Sequence, residues 1–201
     1  MTCHNAAAMP DVSRQTAHRS PTRLLRTLRA VRRFADRPIP DDALLDVLEV
    51  GRRTGSSKNT QPWEIVVVRD PAMLRKISAL GQFASHLATA QVGLVLVMDS
   101  ANNAFDSGRL AERLMLAAWA HGIGSCIASI FPDDNVRRAK ELLGIPAERW
   151  LRQTVALGYP ADENARRVSS MPGIVAVLPS IGRKPTTEFV SWGRFGERAP
   201  A

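Results

Sequence analysis

The 201-residue sequence is poor in cysteine and in aromatic side chains: two Cys, one Tyr, and 5% Phe, Trp and Tyr together. Cys3 and Cys126 lie far apart in the chain, so neither a disulfide framework nor a cysteine metal cluster is expected, and the cytoplasm is the natural compartment. Long apolar runs are missing as well. Every apolar stretch is strand-sized, short of the roughly 20 residues a membrane span needs, and no membrane association is expected. At the N-terminus, Ala6-Ala7-Ala8-Met9 is cut off by Pro10 and Asp11, too short for a signal-peptide core. The chain contains no GxxxxGK phosphate loop and no GxSxG elbow, and His4, His18, His86 and His121 show no HExxH spacing, which removes the usual metal and serine-hydrolase signatures. Gly122-Ile123-Gly124 follows a helical pattern instead of opening one and lacks a third glycine, so it is not a dinucleotide fingerprint.

What is present is a chain with 45% hydrophobic residues, enough for one domain with a full core. The formal net charge of +8 is unevenly placed. Residues 1–34 hold seven arginines (Arg14, Arg19, Arg23, Arg26, Arg29, Arg32, Arg33) against Asp11, a net +6 that leaves +2 for the rest. Apart from Phe34 no aromatic interleaves with these charges, so nucleic acid is not expected as a partner.

Residues 1–20 read as a flexible leader without apolar periodicity, and residues 21–201 as one domain with a C-terminal arm. Ser20-Pro21-Thr22 signals a helix start, and Leu24, Leu25, Leu28 and Val31 continue at helical spacing. A second helix follows Pro40-Asp41-Asp42 and ends near Gly51. Trp63–Val68 is dense in β-branched residues and reads as a buried strand. Asp70 caps a helix with Pro71 at its first position, running toward Leu80. Residues 92–98 form a second strand, and 106–120 a helix apolar nearly all round, the mark of a core helix or a subunit interface. Ser125–Ile130 is a third strand, Pro132-Asp133 opens a helix that stops at Gly144, and Gln153–Gly158 is a fourth strand. Ile174–Leu178 and an arm with Phe189, Trp192 and Phe195 finish the chain, and the arm is expected to pack on the body or on a second subunit. Alternating helices and strands place the chain in the α/β or α+β class.

Three groups of residues carry candidate chemistry. Arg29, Arg32 and Arg33 stand three and four apart, so on a helix Arg29 shares a face with both others; such a face either holds a phosphate or is a solvated basic surface. The loop Gly55–Gln61 offers hydroxyls at Ser56 and Ser57 and amides at Asn59 and Gln61, which suit the edge of a heterocycle with N–H and C=O groups, or form an ordinary polar connection. Cys126 reads as a small buried strand residue, and His121 as a partner for the C-terminal dipole of its helix.

Taken together, three segments resemble the nitroreductase family over roughly residues 22–195. They are Leu28-Arg29-Ala30-Val31-Arg32-Arg33-Phe34 with Pro38-Ile39-Pro40; Gly55-Ser56-Ser57-Lys58-Asn59-Thr60-Gln61-Pro62-Trp63; and the helix 106–121 with Gly122-Ile123-Gly124-Ser125. The resemblance implies an α+β three-layer α/β/α sandwich, with a mixed, mostly antiparallel sheet and a C-terminal arm exchanged in a homodimer. It implies FMN as bound cofactor and NAD(P)H as transient electron donor in a ping-pong cycle, with a nitroaromatic, quinone or similar small molecule as acceptor. A non-enzymatic, flavin-sequestering relative is the alternative. By the same resemblance Arg29 and Arg183 would meet the FMN phosphate, with Ala30 beside them, and Arg32 the pyrimidine edge. Ser56, Ser57 and Asn59 would come from the partner subunit. Ala128, Ser129 and Ile130 would present backbone groups to the N5 and O4 side, and no side chain is assigned as catalytic because the chemistry is the flavin's. The sequence departs from the family pattern at Leu28, where Arg is usual, at Ala30, where Ser is usual, and at Gly55, where Pro is usual. The Asn and Lys that many members place before the second strand have Gln82 as their nearest counterpart.

Overall fold

The computed structural model describes residues 21–163 and 185–198. The chain forms two compact units, one up to Ser169 and a second from Ser170. In the first unit the apolar runs become four strands: β1 (Trp63–Val68), β2 (Val92–Met98), β3 (Gly124–Ser129) and β4 (Trp150–Gly158). Their order is β1-β2-β4-β3, and all three pairings are antiparallel. The sheet is mixed only through one isolated parallel bridge, Ala30 to Ser125.

Helices cover both faces, giving the expected layered α+β sandwich. On one face lie α2 (Asp41–Arg52) and α4 (Ala104–Ala120), which bury Leu44, Val47, Leu110, Leu114 and Ala118 against Leu94, Leu96, Val155 and Leu157. On the other, α3 (Pro71–Ser78) and α5 (Asp133–Leu143) close over Leu74, Ile77, Val95, Val97, Leu151 and Ala156. The period of two along β2 sends 92, 94 and 96 to one layer and 95 and 97 to the other. In β4 the register shifts, with Val95 opposite Thr154 but Val97 opposite Leu151. The extra residue is a bulge that reverses the alternation, so Leu151 and Ala156 face the same layer.

Local signals behave as the residues dictate. Asp70 caps α3 by accepting from the Ala72 and Met73 N–H groups at 3.1 and 3.0 Å, with Pro71 at the first helical position. Gly144 ends α5 in the left-handed region at φ 66°, where glycine carries no Cβ penalty.

Three expectations are corrected. The first helix, α1, spans only Pro21–Thr27; Arg29, Arg32 and Arg33 therefore lie beyond it. The chain from Ala30 runs extended along the edge of β3, because the Val31 N–H donates to the Ser125 carbonyl at 2.8 Å, and a sheet edge satisfies backbone groups that a further helical turn would otherwise satisfy. β1 is an edge strand with only Val68 buried, since nothing among the described residues pairs its outer side. β4 begins at Trp150, earlier than the apolar pattern suggests, because the bulge interrupts that pattern.

Ile174–Leu178 and Arg183 lie outside the described residues. The described part of the second unit is α6 (Thr186–Phe189) and a turn in which the Trp192 N–H donates to the Glu197 carbonyl at 2.7 Å. No helix among the described residues is long and apolar enough to cross a membrane.

Candidate functional site

The Arg29–Arg33 segment, the segment holding Gln82 and Ala128–Ile130 meet on the outer edge of β3. Ala30 bridges Ser125, and two glycines make this approach close. A Cβ on Gly124 would lie 2.6 Å from Val31 Cγ2, and one on Gly158 would lie 2.7 Å from the Phe34 ring. Val31 and Phe34 are thus pressed onto the sheet, which leaves Arg29 and Arg33 exposed and Arg32 half-buried. Arg29 turns its Nη1 onto the carbonyls of Arg26 and Leu28 at 2.9 and 2.8 Å. Arg33 instead forms a bidentate pair with Asp162, both contacts at 3.0 Å, which separates it from Arg29 and Arg32.

Further along the same edge, a Cβ on Gly81 would collide with the Ser129 carbonyl, and the Phe131 N–H donates to the Leu80 carbonyl at 3.3 Å. The segment holding Gln82 is therefore pressed against Ala128–Ile130. Ala128 and Ile130 are buried and Ser129 is exposed. The Ile130 N–H points into the sheet, to the Arg152 carbonyl at 2.9 Å. Ser125 faces outward toward Val31, so by the alternation of an antiparallel ladder Ser129 also turns its backbone away from β4, where Gly81 packs on its carbonyl.

Between these lies His86, which the sequence reading did not select. It is 6% exposed, in a 3-10 turn (Ser85–Thr89), and its Nε2 has no partner among the described residues. Burial holds its imidazole below the ordinary value; the nearby Arg32 charge acts the same way, and backbone bonds at Cys126 and Ile127 oppose both. Burial likewise pushes the Cys126 thiol up, against the charge of Arg32 and a hydrogen bond from it. Cys126 is therefore a buried thiol and not a nucleophile. Nothing in the spacing of His86 marks it; only the folding of its turn against β3 does.

The polar loop is elsewhere. The loop Ser56–Gln61 joins α2 to β1, on the opposite edge of the sheet. Ser56 Oγ accepts from the Gln61 N–H at 2.8 Å, the Thr60 N–H donates to the Ser57 carbonyl at 3.1 Å, and Lys58, Asn59 and Gln61 all have positive φ (51°, 56° and 49°). Left-handed backbone at three non-glycine positions is costly and clusters where a segment is shaped for a task. Ser57 and Asn59 stay exposed.

The register puts this loop and Ser129 at the same end of the sheet: Trp63 pairs with Met98, Met98 with Trp150, and Gln153 with Ser129. Three strand spacings of about 4.8 Å nonetheless hold the two edges roughly 14 Å apart. The sheet therefore carries a basic edge with Arg29 and Arg32 on one side and a hydroxyl-and-amide loop with Ser56, Ser57 and Asn59 on the other. No group of His, Cys, Asp and Glu among the described residues is arranged to hold a metal.

The layered α+β fold thus carries a basic segment on one sheet edge and a polar loop on the other. The family model described as Nitroreductase family matches residues 25–98 and 83–159. The chain is 33% identical over 149 residues to a putative NADH dehydrogenase/NAD(P)H nitroreductase of Archaeoglobus fulgidus, covering 70% of this chain and 86% of that one, and 33% identical over 177 residues to an NADH dehydrogenase of Thermus thermophilus, covering 67% and 84%. It is 29% identical over 224 residues to a nitroreductase of Mycolicibacterium smegmatis, covering 83% and 91%. An FMN-dependent nitroreductase from Clostridium difficile superposes with a TM-score of 0.69 at 22% identity, covering 86% of this chain and 98% of that one. The chain belongs to the nitroreductase family.

Proposed function

We propose that this protein is an FMN-dependent oxidoreductase that takes electrons from NAD(P)H and passes them to an electron-deficient small molecule, such as a nitroaromatic or a quinone, in a ping-pong cycle. When bound, FMN would supply the hydride chemistry at its N5.

The donor set fits this cofactor. Arg29 holds only carbonyl contacts from its own segment, which a phosphate dianion would outcompete through charge-assisted bonds. Arg183 would add a second phosphate contact. Arg32 would place positive charge at the pyrimidine edge, with Ala30 and Ser129 offering backbone at close range. Ser56, Ser57 and Asn59 supply the neutral donors and acceptors that a ribityl chain and a ring edge require.

The observation that carries the proposal is the separation of the two half-sites on opposite sheet edges. A ligand needing both finds them together only where two subunits meet, so the reading includes a homodimer with two shared sites and a C-terminal arm exchanged between subunits. Two experiments test it. The purified protein should be yellow and should bleach anaerobically with NADH or NADPH; yellow protein that does not bleach would instead indicate a flavin-sequestering role. Subunits carrying Arg29→Ala and Asn59→Ala, mixed into heterodimers, should regain one intact site per dimer. No recovery of flavin over either parent would refute the shared site.

A further inference from the structure

The short turn Ser85–Thr89 places one polar side chain, His86, against the outer edge of β3. Its neighbours anchor it. Ala84 and Leu87 are fully buried, the Leu87 N–H donates to the Ala84 carbonyl at 2.9 Å, and the Thr89 hydroxyl donates to the His86 carbonyl at 3.4 Å. The imidazole is thus held in place while its Nε2, shut off from solvent, meets no partner among the described residues. The backbone at Cys126 and Ile127 lies beside the ring, yet no carbonyl reaches Nε2 in hydrogen-bonding geometry. An unmade hydrogen bond at a buried polar group is costly, and such groups in folded proteins almost always have a partner.

Arg32 comes to the same spot from the segment that covers the other part of this edge. Its guanidinium hydrogen-bonds the Cys126 sulfur, and its charge acts on the His86 imidazole. Both side chains therefore converge on Cys126. Arg33, one residue on, is neutralised by its bidentate pair with Asp162. Arg32 has no such carboxylate among the described residues, so its half-buried charge stays uncompensated. A thiol is a weak acceptor, and a guanidinium presents five donors in a planar fork, enough to meet the sulfur and a second acceptor together. Toward those donors an imidazole nitrogen can only accept.

We propose that His86 is a positioning residue for Arg32: its Nε2 accepts a hydrogen bond from the guanidinium and so fixes that positive charge at the pyrimidine edge of the flavin. This rests on the oxidoreductase reading above. Reduced flavin carries negative charge near N1, at that edge, so a fixed cation there stabilises the reduced cofactor more than the oxidised one.

Two measurements test it, and the first needs no flavin. In nitrogen NMR of the apoprotein, His86 Nε2 should give the downfield resonance of an unprotonated ring nitrogen, and that resonance should shift in Arg32→Leu. A protonated Nε2, or a resonance indifferent to the loss of Arg32, overturns the proposal. The second is the two-electron midpoint potential of the FMN-loaded protein. His86→Leu should bind reduced flavin about tenfold more weakly relative to oxidised flavin, the loss of one charge-assisted contact, which lowers the potential by about 30 mV. His86→Gln, whose amide oxygen accepts without titrating, should restore most of that loss. A histidinium cannot accept and repels Arg32, so the wild-type advantage over His86→Leu should shrink as pH falls below about 6.5, while the advantage of His86→Gln should not. Among the described residues the charged or titratable groups beside the ring are Arg32 and Cys126, and burial keeps that thiol protonated through this range. Equal potentials in wild type and His86→Leu, or a loss that His86→Gln does not recover, overturns the proposal. A protein that binds no FMN overturns the oxidoreductase reading, whereas the Arg32–His86 bond is then judged by the first measurement alone.

Discussion

Ser56 Oγ and the Gln61 backbone are tied across the loop by a 2.8 Å hydrogen bond, which closes a segment with positive φ at Lys58, Asn59 and Gln61. The hydroxyl accepts in this bond, so its own hydrogen remains free to donate outward. Ser56→Ala removes both functions. FMN affinity is expected to fall roughly five- to tenfold, the worth of about 1 kcal/mol for one net hydrogen bond, while the thermal midpoint moves little because the loop is exposed. Titration of apoprotein with FMN, read by fluorescence quenching, checks it.

Arg29 stands exposed at the end of the basic edge, with contacts only to neighbouring carbonyls. Arg29→Ala should weaken FMN retention by about ten- to a hundredfold, as expected for a hydrogen bond to a charged group worth about 1.5–3 kcal/mol, with no loss of folding. Flavin that co-elutes undiminished on gel filtration would count against a phosphate role.

Gly124 permits the close contact of Val31 with β3. Gly124→Ala would force the Val31 side chain away and carry the Arg29–Arg32 segment with it. The expected cost is about 1–3 kcal/mol by overpacking, visible as a lower urea midpoint. Flavin affinity should fall too, whereas Gly108→Ala inside α4, where a Cβ meets nothing within 4 Å, should leave flavin affinity unchanged and raise the urea midpoint through helix propensity.

His86 provides a pH signature. Its folded pKa is lowered from 6.5, by burial first and by Arg32 second. The unfolded chain therefore takes up a proton at that site more readily than the folded one, and the stability it protects is present above about pH 6.5 and lost as pH falls below it. His86→Gln should flatten the difference in stability between pH 7.5 and 5.5. An identical slope in wild type and variant would show that other groups set it.

Much of this was legible in the chain. β1 and β2 were bounded by short β-branched runs between turn residues, and α3 by Asp70 and Pro71, because such signals act within a few residues. The Arg29–Arg33 segment was misread as helix for the same reason: its apolar spacing fits a helix locally, and the competing partner, the Ser125 carbonyl, lies far along the sequence. His86 left no signal at all, since its significance comes from what folds against it.

By itself the sequence determined the layers of the fold, the order of its elements and the chemical types gathered in the Arg29–Arg32 and Ser56–Asn59 segments, because hydrophobic period and capping chemistry are local properties. Only the tertiary structure decided that those segments occupy opposite edges of one sheet, that Ser129 turns its backbone away from β4 toward Gly81, and that Arg109 lies on Gly55. Those relations depend on strand order, ladder register and side-chain contact between distant residues, which no local pattern encodes.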